Sequence, residues 1–413
     1  MKEERMMILS MLEEGKITSE DAIKLLEALE DAESLTSDET TEDKKEKIID
    51  MDKTKEKVEG LEKILKEQGK KVENFSVDLG NKISGMFREM KEKGSHGSFL
   101  VGYETINTSV EKNISHLECP IIDFKSVNGG ISLQNWDKDH VFIKIDCKYK
   151  NGLLDNIDDF YDLYEEGNRL VFIPKFNNNI IIGLNVYLPN KSYDEIHLNT
   201  SNGNIEIDEF KVNKLQCNTS NGSVSVKDIS AEEVILGTKN GRINLSSISA
   251  PLIEAISTNS RIILEDIDSD NLKVLTHNGR IILSNIIADS IYATTSNSTI
   301  EAQDIGGKEI KLATSNGKII LESLDLDKIN ELKLSTSNGS IDAEIGEIEK
   351  DSYFDLETSI GNISLEVPNL VYRVNKQVNV GKKKIIAHSI DFDESKEHLV
   401  FTASTSNGSI KLW

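Results

Sequence analysis

From residue 196 onward, apolar and polar residues alternate in short runs, break at a polar tripeptide, and resume. The phrase "LNTSNGNIEI" at 198 returns as "CNTSNGSVSV" at 217 and "LGTKNGRINL" at 236. With the asparagine of each phrase as position zero, the slots are Asn202, Asn221, Asn240, Asn259, Asn278, Asn297 and Asn316, a spacing of 19 residues throughout. Apolar residues recur at positions −6, −4, +3, +5 and +8, as Ile196, Leu198, Ile205, Ile207 and Phe210 in the first unit. Alternation of period two marks half-buried strands. A fixed period near 20 residues marks stacked units. Two copies follow at intervals of 22, with Asn338 and then Ile360 in the slot, and Asn407 lies 47 residues beyond. Asn128 begins an earlier, degenerate copy.

Two architectures fit this alternation. In an array of hairpins, Asn-Gly is a type I′ turn. In a β-solenoid, each unit is one coil and equal positions stack about 4.8 Å apart. The solenoid is favoured. Position +8 supplies an apolar residue for a further side of the coil, and Ser260 and Ser298 replace the glycine that a tight I′ turn prefers. The expected fold is therefore mainly β, a parallel β-solenoid of about 19-residue coils preceded by a small α-helical N-terminal region. The slot asparagines share the parity of the apolar residues at −6 and −4, so they are expected to point inward at a corner. There Asn202, Asn221, Asn240, Asn259, Asn278, Asn297, Asn316 and Asn338 form a structural ladder, each amide bonding the next coil. Trp413 follows the last copy directly. An open strand edge is therefore expected there, blunted by a cap folded back from residues 370–398, with Lys382–Lys384 as charge, or joined end to end with a second copy.

The first 93 residues break from this pattern. Residues 1–32 read as a helical hairpin, with Ile8, Leu9 and Leu12 facing Ala22, Leu25, Leu26 and Leu29. Residues 33–53 read as a charged linker. Over 54–93, Val58, Leu61, Leu65, Val72, Phe75, Leu79, Ile83, Met86 and Met90 recur at spacings of three, four or seven, with Phe87 beside them, as one stripe of an amphipathic helix. Residues 44–93 hold 14 Lys/Arg against 11 Asp/Glu, whereas the whole chain carries −23. A basic amphipathic stripe suits an anionic membrane surface or a protein partner. These ten residues are the candidate contact, and the repeat domain is placed at 94–413.

A charge of −23 argues against nucleic acid as a partner. Cys119, Cys147 and Cys217 are isolated and read as small buried hydrophobes. The seven histidines do not cluster in sequence, and six consecutive intervals leave no room for catalytic loops. No enzyme, cofactor or metal site is expected. The N-terminal apolar run is too interrupted for a secretion signal, and no stretch reaches the length of a membrane span. The expected compartment is the cytoplasm with membrane association, the cell surface being the alternative. Self-association is expected through the helical region or the solenoid end.

The repeats, with "GLNVYLPNKSYDEIHLNTSNGNIEI" and "NGGISLQNWDKDHVFIKI", resemble bacterial proteins of the DUF4097 β-strand-repeat, adhesin-labelled family. "EERMMILSMLEEGKITSEDAIKLLEAL" resembles the short helical N-terminal domain of its YvlB/LiaX-like group. The resemblance implies a β-solenoid linked to cell-envelope stress and the antimicrobial-peptide response, with no catalytic residue. It leaves two expectations: a non-enzymatic envelope-stress scaffold, or an adhesin-like surface-binding module.

Overall fold

The computed structural model describes residues 102–413, apart from 155–158, 325, 347 and 378–381. The expected helical hairpin, the linker and the amphipathic stripe with all ten of its contact residues lie outside the described residues. The described part holds twenty-five strands, numbered in chain order, and one short 3-10 turn.

Its body is built of coils, not hairpins. Strands β9 (Ile205–Thr219) and β10 (Val224–Thr238) pair in parallel, with Ile205 opposite Val224 and Thr219 opposite Thr238. The same offset of 19 links Ile262 to Ile281 and Ile281 to Ile300. Two residues per coil drop out of the pairing. Glu209 and Asp228 are skipped, and so are Asn213 and Glu232. With the Thr-x-Asn-Gly segment they divide each coil into three sides. The first corner has a steric signature. Position +7 has positive φ in seven successive coils: Glu209, Asp228, Ser247, Asp266, Asn285, Asp304 and Ser323, at 51–64°. Short polar side chains tolerate this left-handed conformation better than β-branched ones do. The backbone turned there aims the apolar residue at +8 inward.

The interior is a column of aliphatic rows. Ile205, Val224, Ile243, Ile262, Ile281, Ile300 and Ile319 are all fully buried. A buried side chain of this kind contributes about 1.5–3 kcal/mol, and β-branched residues suit the pleated wall it packs against. Between Phe210 and Tyr353 the only aromatic residue is Tyr292. Aromatic bulk is used instead at the ends, where Phe124 packs edge-on to Phe172 and Phe354 lies 5.6 Å from Phe401.

The ends depart from chain order. Strand β24 (Leu399–Asn407) lies between β18 (Glu331–Asn338) and β20 (Ser352–Ile360), parallel to both. Asn407 thus sits between Asn338 and Ile360, and the coil carrying it is not the end of the stack. This corrects the expected open edge after Trp413. Beyond β20 come β23 (Lys383–Ser389) and then β22 (Leu370–Gln377), both antiparallel, so residues 370–398 do fold back as a cap. The lysines do not blunt an edge. Lys382 and Lys384 pair with Glu357 and Asp355 of β20, because β22, not β23, is outermost.

The N-terminal end repeats the device. Strands β2 (Ile121–Lys125) and β3 (Asn128–Trp136) lie beneath β8 (Ser192–Thr200) and β9, with Phe124 opposite Leu198 and Ile131 opposite Ile205. On their other side lie β6 (Arg169–Pro174) and β7 (Ile180–Pro189), which come later in the chain. Antiparallel strands finish this end: β4 (His140–Lys150) on β7, β1 (Tyr103–Asn113) on β4, and β5 (Tyr161–Glu166) on β6.

Candidate binding surfaces

The repeated corner sorts its side chains differently from the alternation. Asn202, Asn221, Asn240, Asn259, Asn278, Asn297, Asn316 and Asn338 are exposed. The expectation that they point inward is therefore wrong. The strand stops at Thr200 and resumes at Ile205, and the bend between them resets the parity. The asparagines still bond in series along the outside. Asn240 Nδ2 donates to Asn221 Oδ1 at 2.6 Å and accepts from Asn259 Nδ2 at 2.6 Å, and the series runs on to Asn407, which donates to Asn338 at 2.7 Å. Asn202 Nδ2 donates likewise to Asn128 Oδ1.

The residue that turns inward is the threonine at −2. Thr238, 3% exposed, donates to the Gly222 carbonyl at 3.0 Å and accepts from Gly241 N–H at 3.1 Å. Thr219, Ser257, Thr276 and Thr295 make the same bond to the coil before. The glycine at +1 allows this approach: a Cβ on Gly222 would lie 1.7 Å from the Gly203 carbonyl oxygen.

The outward faces are polar and tied coil to coil. Lys214 pairs with Glu233 at 2.6 Å and Lys273 with Glu254 at 3.0 Å. Half-buried surface pairs of this kind add little stability. Among the described residues, no group of three or more His, Cys, Asp or Glu is placed to hold a metal ion. Cys147 and Cys217 are buried, and burial pushes the Cys147 thiol up to about 12 and Cys217 upward as well. Cys119 is exposed, against the expectation of a buried hydrophobe. His197 is depressed, chiefly by burial, with Glu195 and Asp123 opposing. Its Nε2 lies 3.1 Å from Glu195 without hydrogen-bond geometry.

Two surface features stand apart from the repeat. At the N-terminal cap, Trp136, Tyr187 and Phe142 share one half-buried outward face across β3, β7 and β4. Trp136 lies 5.7 Å from each of the other two rings, and its indole N–H donates to the His140 carbonyl at 2.8 Å. Beside it is a concavity of about 380 Å³ lined by Ser115, Trp136, Asp137, Lys138, Asp139, Pro189, Asn190 and Lys191. The sequence signal for this face is the outward spacing of Trp136, Phe142 and Tyr187 on their strands, and the repeat reading passed over it. At the other end Ile360, Val371, Tyr372, Ile390 and Trp413 are exposed apolar residues.

The coil pairing, corner rows and capped ends define a parallel β-solenoid. The chain belongs to the DUF4097 Toastrack family, whose profile matches residues 164–281 and 253–412; a SHOCT-like domain profile matches residues 3–34. It is similar to a Bacillus subtilis (strain 168) protein named "Uncharacterized protein YvlB", 27% identical over 222 residues, which cover 52% of this chain and 56% of that one. The match thus spans little more than half the length of that relative. Solved structures it resembles include a "putative adhesin" from Parabacteroides merdae, at 12% identity, 78% and 98% coverage of the two chains and a TM-score of 0.33. Another is a "Putative lipid binding protein" from Parabacteroides distasonis, at 15% identity, 76% and 97% coverage and a TM-score of 0.37. Among the described residues no helix is long and apolar enough to cross a membrane.

Proposed function

We propose that this protein is a non-enzymatic scaffold of the bacterial cell envelope, acting in envelope stress. In this reading the solenoid is a rigid binding or assembly surface, and the basic amphipathic segment 54–93 brings it to an anionic membrane. The observation that carries the reading is the filled column. Rows of fully buried aliphatic side chains and a continuous bonded corner leave the described body its outer faces to work with. Ordinary catalytic sites instead gather converging polar groups in a deep pocket.

Co-sedimentation tests the membrane part. The full chain is expected to pellet with phosphatidylglycerol vesicles and not with phosphatidylcholine vesicles, and deletion of residues 54–93 is expected to abolish pelleting. Equal pelleting of the deletion variant would overturn the assignment. A second reading, an adhesin-like module at the cell surface, is favoured by the aromatic face at the N-terminal cap. The comparisons lend no support to the cytoplasmic compartment expected from the sequence. Surface proteolysis of intact cells separates the readings: cleavage of the repeat domain in intact cells supports the surface module, and protection supports the internal scaffold.

A further inference from the structure

We propose that the concavity beside Trp136 is a carbohydrate-binding site that takes a pyranose ring of an uncharged oligosaccharide. The proposal rests on the surface-module reading and deepens it by giving one end of the body a ligand class.

The floor and the walls of the concavity differ in chemistry. Trp136 supplies the accessible apolar surface, with Pro189 buried behind it, while the exposed Asp137, Asp139, Asn190 and Ser115 supply hydrogen-bonding groups around it. A pyranose has matching parts: a face of C–H groups that sits on the electron-rich face of an indole, and a rim of hydroxyls that both donate and accept. The carboxylates accept from hydroxyls, and the amide and serine groups do both. The volume of about 380 Å³ falls toward the small end for ligand sites, as suits one ring of a longer chain.

Two observations direct the choice to a neutral ligand. The wall carboxylates Asp137 and Asp139 are matched by Lys138 and Lys191, so the site has no excess charge to attract an ion. Lys191 is also engaged with the Leu117 carbonyl. The indole N–H is bonded within the protein to the His140 carbonyl, which holds the ring in place and leaves its face as the contact surface. Lys138 lies over that face at 4.6 Å, and Lys144 lies over Tyr187 at 5.2 Å. Both lysines are exposed. A solvent-exposed cation over a ring is readily exchanged for another partner that suits the same face. Tyr187 and Phe142 continue the aromatic surface beyond Trp136, so neighbouring sugar residues have somewhere to lie.

The chain has two tryptophans, Trp136 and Trp413. In full-length protein carrying Trp413→Phe, indole emission therefore reports Trp136 alone. Titration with cellotetraose and with triacetylchitotriose is expected to give a saturable emission change for at least one of them, half-complete below about 1 mM. Asp139→Ala and Asn190→Ala, both at wall positions, are expected to weaken binding about tenfold or more. Trp136→Ala, followed by calorimetry, is expected to abolish it while far-ultraviolet circular dichroism is unchanged. Two results would overturn the proposal: no emission change with either sugar at millimolar concentration, or binding unaltered by the substitutions. Should Trp136→Ala fail to fold, the two wall variants decide. Surface proteolysis of intact cells is a separate measurement, so failure of sugar binding is distinguishable from failure of the surface-module reading.

Discussion

Replacing Thr238 with valine separates the two polar rows at the repeated corner. Valine keeps the shape and the β-branch but removes the hydroxyl. Thr238 is 3% exposed and satisfies two backbone groups, the Gly222 carbonyl at 3.0 Å and the Gly241 N–H at 3.1 Å. A buried polar group left without a partner costs about 1–3 kcal/mol. Two such groups, partly relieved by local adjustment, set the expected loss at about 2–4 kcal/mol. Asn240→Ala breaks a matching number of bonds, one donated to Asn221 and one accepted from Asn259. Those groups are exposed, and water replaces the lost partners, so the expected cost is about 0.5–1 kcal/mol. The assay is urea unfolding of the full chain, followed by circular dichroism, with amide exchange at Gly241 as the local readout. Local exchange matters because stacked units lose stability unit by unit rather than all at once. A cost for Asn240→Ala equal to or above that of Thr238→Val would refute the argument that burial, rather than the ladder itself, decides which row holds the corner.

Three further outcomes follow from the same structure. Removing residues 399–413 takes a coil from inside the stack, so amide protection is expected to fall in both 331–338 and 352–360, on either side of β24; unchanged protection in either would contradict the inserted order. Ellman's reagent is expected to titrate one native thiol, the exposed Cys119, and all three after denaturation; two or more fast thiols would count against the buried positions. The pKa of His197 is lowered on folding from its ordinary 6.5, so the unfolded chain takes up the proton first. Its contribution is absent at alkaline pH, and stability is lost as pH falls from about 6.5 toward the folded value. His197→Gln is expected to flatten that part of the urea-midpoint profile, and an unchanged slope would exclude this histidine as its source.

The sequence by itself determined the body of this protein. A 19-residue period with apolar residues at fixed offsets is a one-dimensional record of stacking, because each coil meets only its neighbours. The rows at +3, +5 and +8 were legible for that reason. Parity counting failed at Asn202 because it assumes an unbroken strand, and the chain bends between Thr200 and Ile205. The left-handed corner at Glu209, Asp228 and their equivalents left only a weak trace, since several short polar residues tolerate positive φ.

Tertiary structure alone decided the ends. Nothing local distinguishes a coil added last from one inserted between two earlier ones, since Asn407 and Asn338 carry the same phrase and make the same bond at a sequence separation of 69. The choice depends on which neighbour buries Phe401 and Phe354 together, a contact between segments far apart in the chain. The aromatic face of Trp136, Tyr187 and Phe142 has the same origin. Strand β7, distant in sequence, pairs with both β3 and β4, which follow one another in the chain, and a spacing pattern along the chain cannot record which strands become neighbours.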